Sequence, residues 1–268
     1  MKLFDTHCHF ETADTAEIAA ILSRAKAAGV EKLLAVGGSQ ALNAGVAAAM
    51  DANGKWRMGN GECRRDSQAS FPDIVGAIGF DRDQVGMTEG EIADALSSQF
   101  SIHDFKSLGE IGLDYHYSPE TRKAQTALFA AQLEEARRRD LPVVIHTREA
   151  ADDTIAILKE IPSRGVIHCF TGEPAEARAY LDLGFYISIS GIVTFRAADN
   201  VRESALVVPD DRILIETDSP FLAPAPMRGK TNEPAFVAHT CEFLAKLRGM
   251  AADDFAGLTF ANAERLFA

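Results

Sequence analysis

The stretch LPVVIHTREAADDTIAILKEIPSRGVIHCF, residues 141–170, decides the fold. It opens on an apolar run, Leu141 to His146, that reads as a strand. A helix follows from Ala150 to Glu160, and a second apolar run, Gly165 to Phe170, restarts a strand. Continuous apolar strands joined through a helix belong to a parallel sheet covered by helices on its faces. Each run also carries a histidine, His146 and His168.

The same unit recurs in both directions. Upstream, strands over 2–8, 32–37, 73–80 and 107–113 alternate with helices over 16–28, 40–51, 88–100 and 119–139. Gly29 stops the first helix, and Pro119 opens the fourth. Downstream come a helix over 174–183, a strand over 185–189, a short helix over 201–205 and a strand over 212–217. Two helices, around 235–248 and 253–267, close the chain. The polar, Gly-rich stretch 53–72, with Arg57, Arg64 and Arg65, reads as an extended connection holding at most a short helix. Eight strands in 268 residues predict an α/β fold, a TIM-like (β/α)8 barrel, as a single domain over 1–268. Neither G-x-G-x-x-G after the first strand nor G-x-x-x-x-G-K-[ST] occurs, so dinucleotide and P-loop folds lack their fingerprints.

Composition narrows the function. The 39 Asp and Glu outnumber the 27 Lys and Arg, a formal charge of −12 whose field repels a polyanion. Any action on nucleic acid must rest on local cations and metals in a cleft. No run of about 18 apolar residues occurs, so no membrane span is expected. The start shows no basic leader with an apolar run, so no export signal is expected. Cys8, Cys63, Cys169 and Cys241 form no C-x-x-C pair, and a cytoplasmic protein follows as the expectation. Oligomeric state is not legible, and a monomer is the default.

In such barrels the chemistry sits at the C-terminal ends of the strands. The first strand, LFDTHCH over 3–9, ends in two histidines. Strict alternation puts Asp5, His7 and His9 on one face and Phe4, Thr6 and Cys8 on the other. Glu110 lies on the fourth strand, His146 closes the fifth, His168 lies on the sixth and Asp218 follows the eighth. Each alone has an ordinary role: a partner for an Arg, a packed histidine, a turn residue. All six at one rim point to metal. A catalytic zinc takes about three protein ligands, so four histidines and two carboxylates can serve two divalent ions about 3.5–4 Å apart. Glu110 is the natural bridge. Imidazole with carboxylate suits Zn, Mn or Fe more than Mg. Asp218 and Glu110 are the expected catalytic carboxylates, with Asp218 binding an ion and accepting the proton of the attacking water. No Ser or Cys is placed with its own base, so water is the expected nucleophile.

Around the ligands, Arg148 is read either as a phosphate or carboxylate grip or as a partner of Glu149 or Asp114. Asp114 and Tyr115 follow the fourth strand and, with Arg148, Asp81 and Asn232, are the candidate substrate-binding residues; Tyr115 can stack on a base or simply pack the rim. Asn232, with Glu233 and Pro234, is expected in the wall near Asp218. Glu216 requires a buried partner, and Asp5 is a candidate to orient an imidazole. Cys8 and Cys169 are expected to pack against helices, and Arg137, Arg138 and Arg139 to be a solvated helix end.

The motifs DTHCHF at the start, GEIGLDY at 109–115, PVVIHTRE at 142–149, GVIHCFTG at 165–172, ETDSPFL at 216–222, RGKTNEPAFV at 228–237 and NAERLF at 262–267 resemble the TatD family of metal-dependent deoxyribonucleases, which are amidohydrolase-type barrels. The resemblance spans essentially the whole chain. It implies that His7, His9 and Asp218 hold one metal and His146 and His168 the other, with Glu110 between them. It implies a cytoplasmic nuclease that removes nucleotides from the 3′ end of single-stranded DNA or RNA with Mg or Mn. Some relatives are credited with removing D-amino acids from tRNA. One departure stands out: the family's Gly-x-His-Pro after the third strand reads Gly79-Phe80-Asp81-Arg82. Asp81 repels a substrate phosphate unless it pairs with Arg82 or a metal. The leading expectation is therefore a 3′–5′ exonuclease acting on nucleic-acid ends. The alternative is an amide, ester, lactone or D-aminoacyl-tRNA hydrolase on the same two-metal barrel.

Overall fold

The computed structural model describes residues 1–58 and 71–268. Most of the polar connection, including Arg64 and Arg65, lies outside the described residues. The strands are β1 (Leu3–Cys8), β2 (Val30–Gly38), β3 (Asp73–Phe80), β4 (Ser107–Asp114), β5 (Val143–Arg148), β6 (Gly165–Ile167), β7 (Tyr186–Ile189) and β8 (Ile213–Ile215). They pair in sequence order, all parallel. The seam between β8 and β1 is drawn together just beyond the end of β8. There Asp218 N donates to His7 O (2.9 Å) and His9 N to Ser219 O (2.8 Å). The result is a nearly closed (β/α)8 barrel, as expected from the alternation of elements.

Helices α1 (Thr15–Ala27), α2 (Gln40–Met58), α3 (Glu89–Phe100), α4 (Arg122–Arg138), α5 (Ala151–Glu160), α6 (Pro174–Asp182), α7 (Asp199–Val207), α8 (Val237–Leu247) and α9 (Ala252–Phe267) connect and cover the strands. Two apolar layers result. Leu33, Ile78, Leu108 and Ile145 pack outward against helix residues such as Ile18, Ile92 and Phe129. Phe4, Leu34, Val36, Val144, Val166 and Leu214 fill the barrel with Ala263, Leu266 and Phe267 of α9. Phe260 and Phe267 sit 5.8 and 6.2 Å from the Phe4 ring, so α9 plugs the end opposite the histidines.

The strand register is irregular at several points, and two of them, on β1 and β4, matter for the site. On β1, Asp5 pairs with Leu33 and Cys8 with Ala35, so three steps on β1 match two on β2. On β4, Leu108 pairs with Val143 and Ile111 with Ile145, again three against two. Each strand carries a bulge, which re-aims a side chain. Leu3 and Cys8 both face the helix layer, as do Leu108 and Ile111. His7 and Glu110 fall inside the two bulges and turn to the barrel mouth. The expectation that Asp5 shares a face with His7 and His9 is therefore corrected: Asp5 stays on the Leu33 side. Cys8 packs in the helix layer as expected, with α1 residues Ile18 and Leu22 in the same cluster.

Side-chain amides from two helices pin the strand ends that carry the site. Gln132 of α4 accepts from Phe80 N (2.8 Å) and donates to Phe80 O (2.7 Å). Gln125, one helical stretch earlier, treats Asp114 N and O in the same way (2.8 and 3.0 Å). Asn43 of α2 donates to Gly79 O (3.0 Å) and accepts from Gly79 N (3.2 Å). A buried amide left unpaired here costs about 1–3 kcal/mol.

Candidate metal centre

The barrel mouth brings together all six residues singled out from the strand ends. Glu110 divides its carboxylate between two histidine pairs. Its Oε2 lies 3.5 Å from both His7 Nε2 and His9 Nε2. Its Oε1 lies 3.2 Å from His146 Nδ1 and 3.3 Å from His168 Nε2. Within the pairs, His7 Nε2 and His9 Nε2 are 3.1 Å apart, and His146 Nδ1 and His168 Nε2 are 3.3 Å apart. Asp218 Oδ1 adds to the first group, 3.8 Å from His7 Nε2 and 3.7 Å from His9 Nε2. The rings of His7 and His168 stack at 3.9 Å, which joins the groups.

The backing of each imidazole says which nitrogen is free. His9 Nδ1 donates to Val36 O (2.8 Å), so its Nε2 presents a lone pair inward. His146 Nε2 faces Asp114 Oδ2 at 3.0 Å, so its inward Nδ1 is the lone pair. His168 Nδ1 faces Glu216 Oε1 at 3.4 Å, leaving Nε2 inward. Lone pairs and carboxylate oxygens crowded at 3.1–3.5 Å repel one another unless a cation lies between them. Metal bonds of about 2.0–2.2 Å meeting at a tetrahedral angle put ligand atoms about 3.3–3.6 Å apart. The donor set therefore fits divalent metal, and His7, His9 and Glu110 form one group that could hold an ion and Glu110, His146 and His168 another.

The turns that carry His168 and Asp218 are strained and held. Cys169, after His168, has φ 43° and Asp218 has φ 57°, a left-handed backbone that costs about 1–3 kcal/mol for such residues. Cys169 N donates to Glu216 Oε1 (2.7 Å), so the buried Glu216 both fixes this turn and backs His168. It is thereby supplied with the partner that its burial requires. Asp5 accepts from Thr217 N (2.8 Å) and Thr217 Oγ1 (2.7 Å), which fixes the residue before Asp218. Asp5 thus shapes the loop and does not orient an imidazole. Burial pushes its carboxyl up to about 8 and that of Asp218 up to about 6. Burial drives His7 down to about 3. For His168 burial acts the same way, but the Glu110 charge outweighs it and raises the imidazole well above the usual range, so that a proton or a metal cation belongs between His168 Nε2 and Glu110.

The residues expected around the ligands divide. Asp114 is fully buried and engages His146, His116 N (2.9 Å) and Tyr117 N (3.0 Å), so it cannot meet a substrate. Burial pushes its carboxyl up, but the His146 bond and its other partners outweigh this and hold it at about 2. Asn232 is also buried; it donates to Thr217 O (2.8 Å) and to Phe221 O, bracing the Asp218 loop from behind. The Tyr115 hydroxyl donates to Asp153 Oδ2 (2.6 Å), and the Arg122 guanidinium covers its ring at 4.8 Å, so it packs the rim. Arg148 pairs with neither Glu149 nor Asp114; its guanidinium lies over Tyr117 at 4.8 Å. Asp81 accepts from Asp83 N (2.8 Å) and caps a short helical turn. Burial, with the Glu110 charge adding to it, pushes its carboxyl up to about 6. Arg82 turns instead toward Asp114 (3.7 Å) and Asp83 (3.6 Å). Arg137, Arg138 and Arg139 close α4 on Glu134 and Glu135.

A family described as TatD related DNase matches residues 4–268. The chain belongs to this family. It is 37% identical over 272 residues to the uncharacterized metal-dependent hydrolase YabD of Bacillus subtilis, covering 99% of this chain and 98% of that one. With the uncharacterized metal-dependent hydrolase YcfH of Escherichia coli K12 it shares 44% over 207 residues, 73% and 77% of the two chains. A relative in Erwinia tasmaniensis, 39% identical over 186 residues (66% of this chain, 72% of the other), is named 3′-5′ ssDNA/RNA exonuclease TatD. Among solved structures, the TatD homolog YJJV of Escherichia coli superposes with a TM-score of 0.83 at 28% identity, covering 99% and 97% of the chains. This TatD-family chain is thus a metal-dependent hydrolase. Among the described residues, no helix is long and apolar enough to cross a membrane.

Proposed function

We propose that this TatD-family hydrolase works as one domain over 1–268 and is a two-metal phosphodiesterase that shortens single-stranded DNA or RNA from the 3′ end. The observation that carries the reading is the division of the Glu110 carboxylate, one oxygen to each histidine pair. His7, His9, Asp218 and Glu110 Oε2 would hold one divalent ion, and His146, His168 and Glu110 Oε1 the other. Mn or Zn suits this donor set best, with Mg as a third candidate. Ions held there supply Lewis acidity to phosphoryl oxygens and lower the pKa of nearby water. Asp218 takes the proton of the attacking water at a carboxylate oxygen. Asp114 and Glu216 keep the imidazoles of His146 and His168 in the tautomer that faces inward. Arg148, which has no carboxylate partner among the described residues, takes a substrate phosphate. The exonuclease name of the Erwinia tasmaniensis relative supports the choice of substrate.

The test is incubation of purified protein with end-labelled single-stranded DNA and Mg or Mn, beside an Asp218→Asn variant. Metal-dependent shortening that the variant loses is expected. No shortening, or equal shortening by the variant, rejects the reading. Asp81 favours a second reading, because a carboxyl beside Glu110 is better suited to an uncharged carbonyl than to a phosphate. Turnover of amide, ester, lactone or D-aminoacyl-tRNA substrates without DNA cleavage would select it.

A further inference from the structure

Two aromatic rings on the rim fill no core. Tyr117 is 63% exposed and Phe221 53% exposed, and among the described residues they are the Phe and Tyr side chains left mostly in water. Keeping such a ring out of the core forfeits about 1.5–3 kcal/mol of burial, so packing does not explain either. They flank the centre from opposite sides. Phe221 N donates to Asp218 O (2.9 Å), and its ring meets His9 edge-on at 6.5 Å. Tyr117 N donates to Asp114 Oδ1 (3.0 Å), the carboxylate that backs His146. Each ring is thus tied through its own backbone to an acid of the centre. A cleft of about 530 Å³ opens beside His9 and Pro220, and one of about 610 Å³ opens beside Arg148 and Tyr115.

The charge around Tyr117 is specific. Arg148 and Arg82 place guanidiniums 4.8 and 5.6 Å from its ring. The acids next to Arg148 are occupied elsewhere, Glu149 by His116 (2.6 Å) and Asp114 by His146 (3.0 Å). Among the described residues Arg148 is left as a positive charge without a carboxylate partner, in a chain of net charge −12 and beside a cleft whose lining also holds Asp152, Glu173 and Glu176.

We infer that Tyr117 and Phe221 are stacking platforms for two bases on either side of the linkage held over the metal centre, with Arg148 on the phosphate next to Tyr117. The inference rests on the nuclease reading and deepens it. A strand that straddles the centre must offer base faces to both rings. A duplex has its base faces covered by their neighbours, so the arrangement selects single strands. It tolerates any sequence, because every base has a π face.

The experiment measures binding of a fluorescent, phosphorothioate-linked single-stranded oligothymidylate to the Mn-loaded full chain by anisotropy. Tyr117→Ala and Phe221→Ala are each expected to raise Kd about tenfold, and the double variant about a hundredfold. Tyr117→Phe and Phe221→Trp keep a ring and should restore near-wild-type Kd, which a merely structural role would not predict. The advantage of the single strand over the matching duplex should shrink in the double alanine variant. Alanine variants that bind as tightly as wild type overturn the platforms and leave the nuclease reading standing. A wild-type chain that neither binds nor shortens the single strand overturns that reading and this inference with it.

Discussion

The His7/His9 pair and the His146/His168 pair face the same carboxylate, yet they are held differently. Charged groups back the second pair: Asp114 behind His146 at 3.0 Å and Glu216 behind His168 at 3.4 Å. Behind the first pair, His9 Nδ1 meets only a neutral group, the Val36 carbonyl (2.8 Å), and among the described residues His7 Nδ1 makes no hydrogen bond. His168 Nδ1 makes none either, its Glu216 contact being electrostatic, and Glu216 lies close to His7 as well. The first pair gains its second negative charge directly, from Asp218 at the ligand positions. A carboxylate behind an imidazole raises its basicity and fixes its ring. A carboxylate beside it neutralises the ion and can also move a proton. On the proposed two-ion reading, the difference would separate a side that retains an ion from a side that uses one.

Removing the shared element erases the contrast. Glu110→Gln should empty both sides and cut hydrolysis by about 10³, a loss of ~4 kcal/mol of transition-state stabilisation. Metal content and turnover measured on the same preparation check it. His9→Ala should act on one side only. Metal content falls by the ion on the Asp218 side, and activity falls with it. If activity survives with full metal, the pair reverts to ordinary packing. Asp114→Asn and Glu216→Gln should weaken the other ion by about 10–100-fold, read by competition with a chelator. Equal weakening on both sides would contradict the division of roles. The smallest effect is expected at Asn232→Ala, which leaves the Thr217 and Phe221 carbonyls unpaired. It should cost about 1–3 kcal/mol and lower Tm by roughly 2–4 °C for each kcal/mol, with metal content little changed.

The same contrast explains what was legible in the chain. The strand-helix rhythm and the six residues at strand ends follow from local composition, so the barrel and the meeting place of His7, His9, Glu110, His146, His168 and Asp218 could be read early. Boundaries moved where tertiary contacts overrode local signals. Helix α2 runs on to Met58 through Asn53-Gly54, a pair that reads as a turn, while Asn53 donates to Pro72 O (3.2 Å). Strand β8 stops at Ile215 because Asp5 takes the Thr217 amide out of the ladder. The bulges on β1 and β4 were illegible, because alternation carries no mark of an extra residue. For that reason strict alternation puts Asp5 on the wrong face.

The partners behind the ligands were also hidden. Glu216 and His168 are 48 positions apart in the numbering, and only the barrel brings their elements together. Asp114 and Asn232 were placed at the substrate from their position beside ligands, but burial turns both toward the scaffold. Tyr115 reads as the stacking candidate because it follows the strand directly, but Asp153 and Arg122 claim it, while Tyr117, which carries no mark in the sequence, is left open.

The claim on which the rest depends is that Glu110 is shared by two ions. Metal content per chain, measured after loading with Mn and desalting, tests it most directly. Two ions in the wild-type chain, one in His9→Ala and none in Glu110→Gln are the predicted result. A single ion in the wild type that survives Glu110→Gln would contradict it.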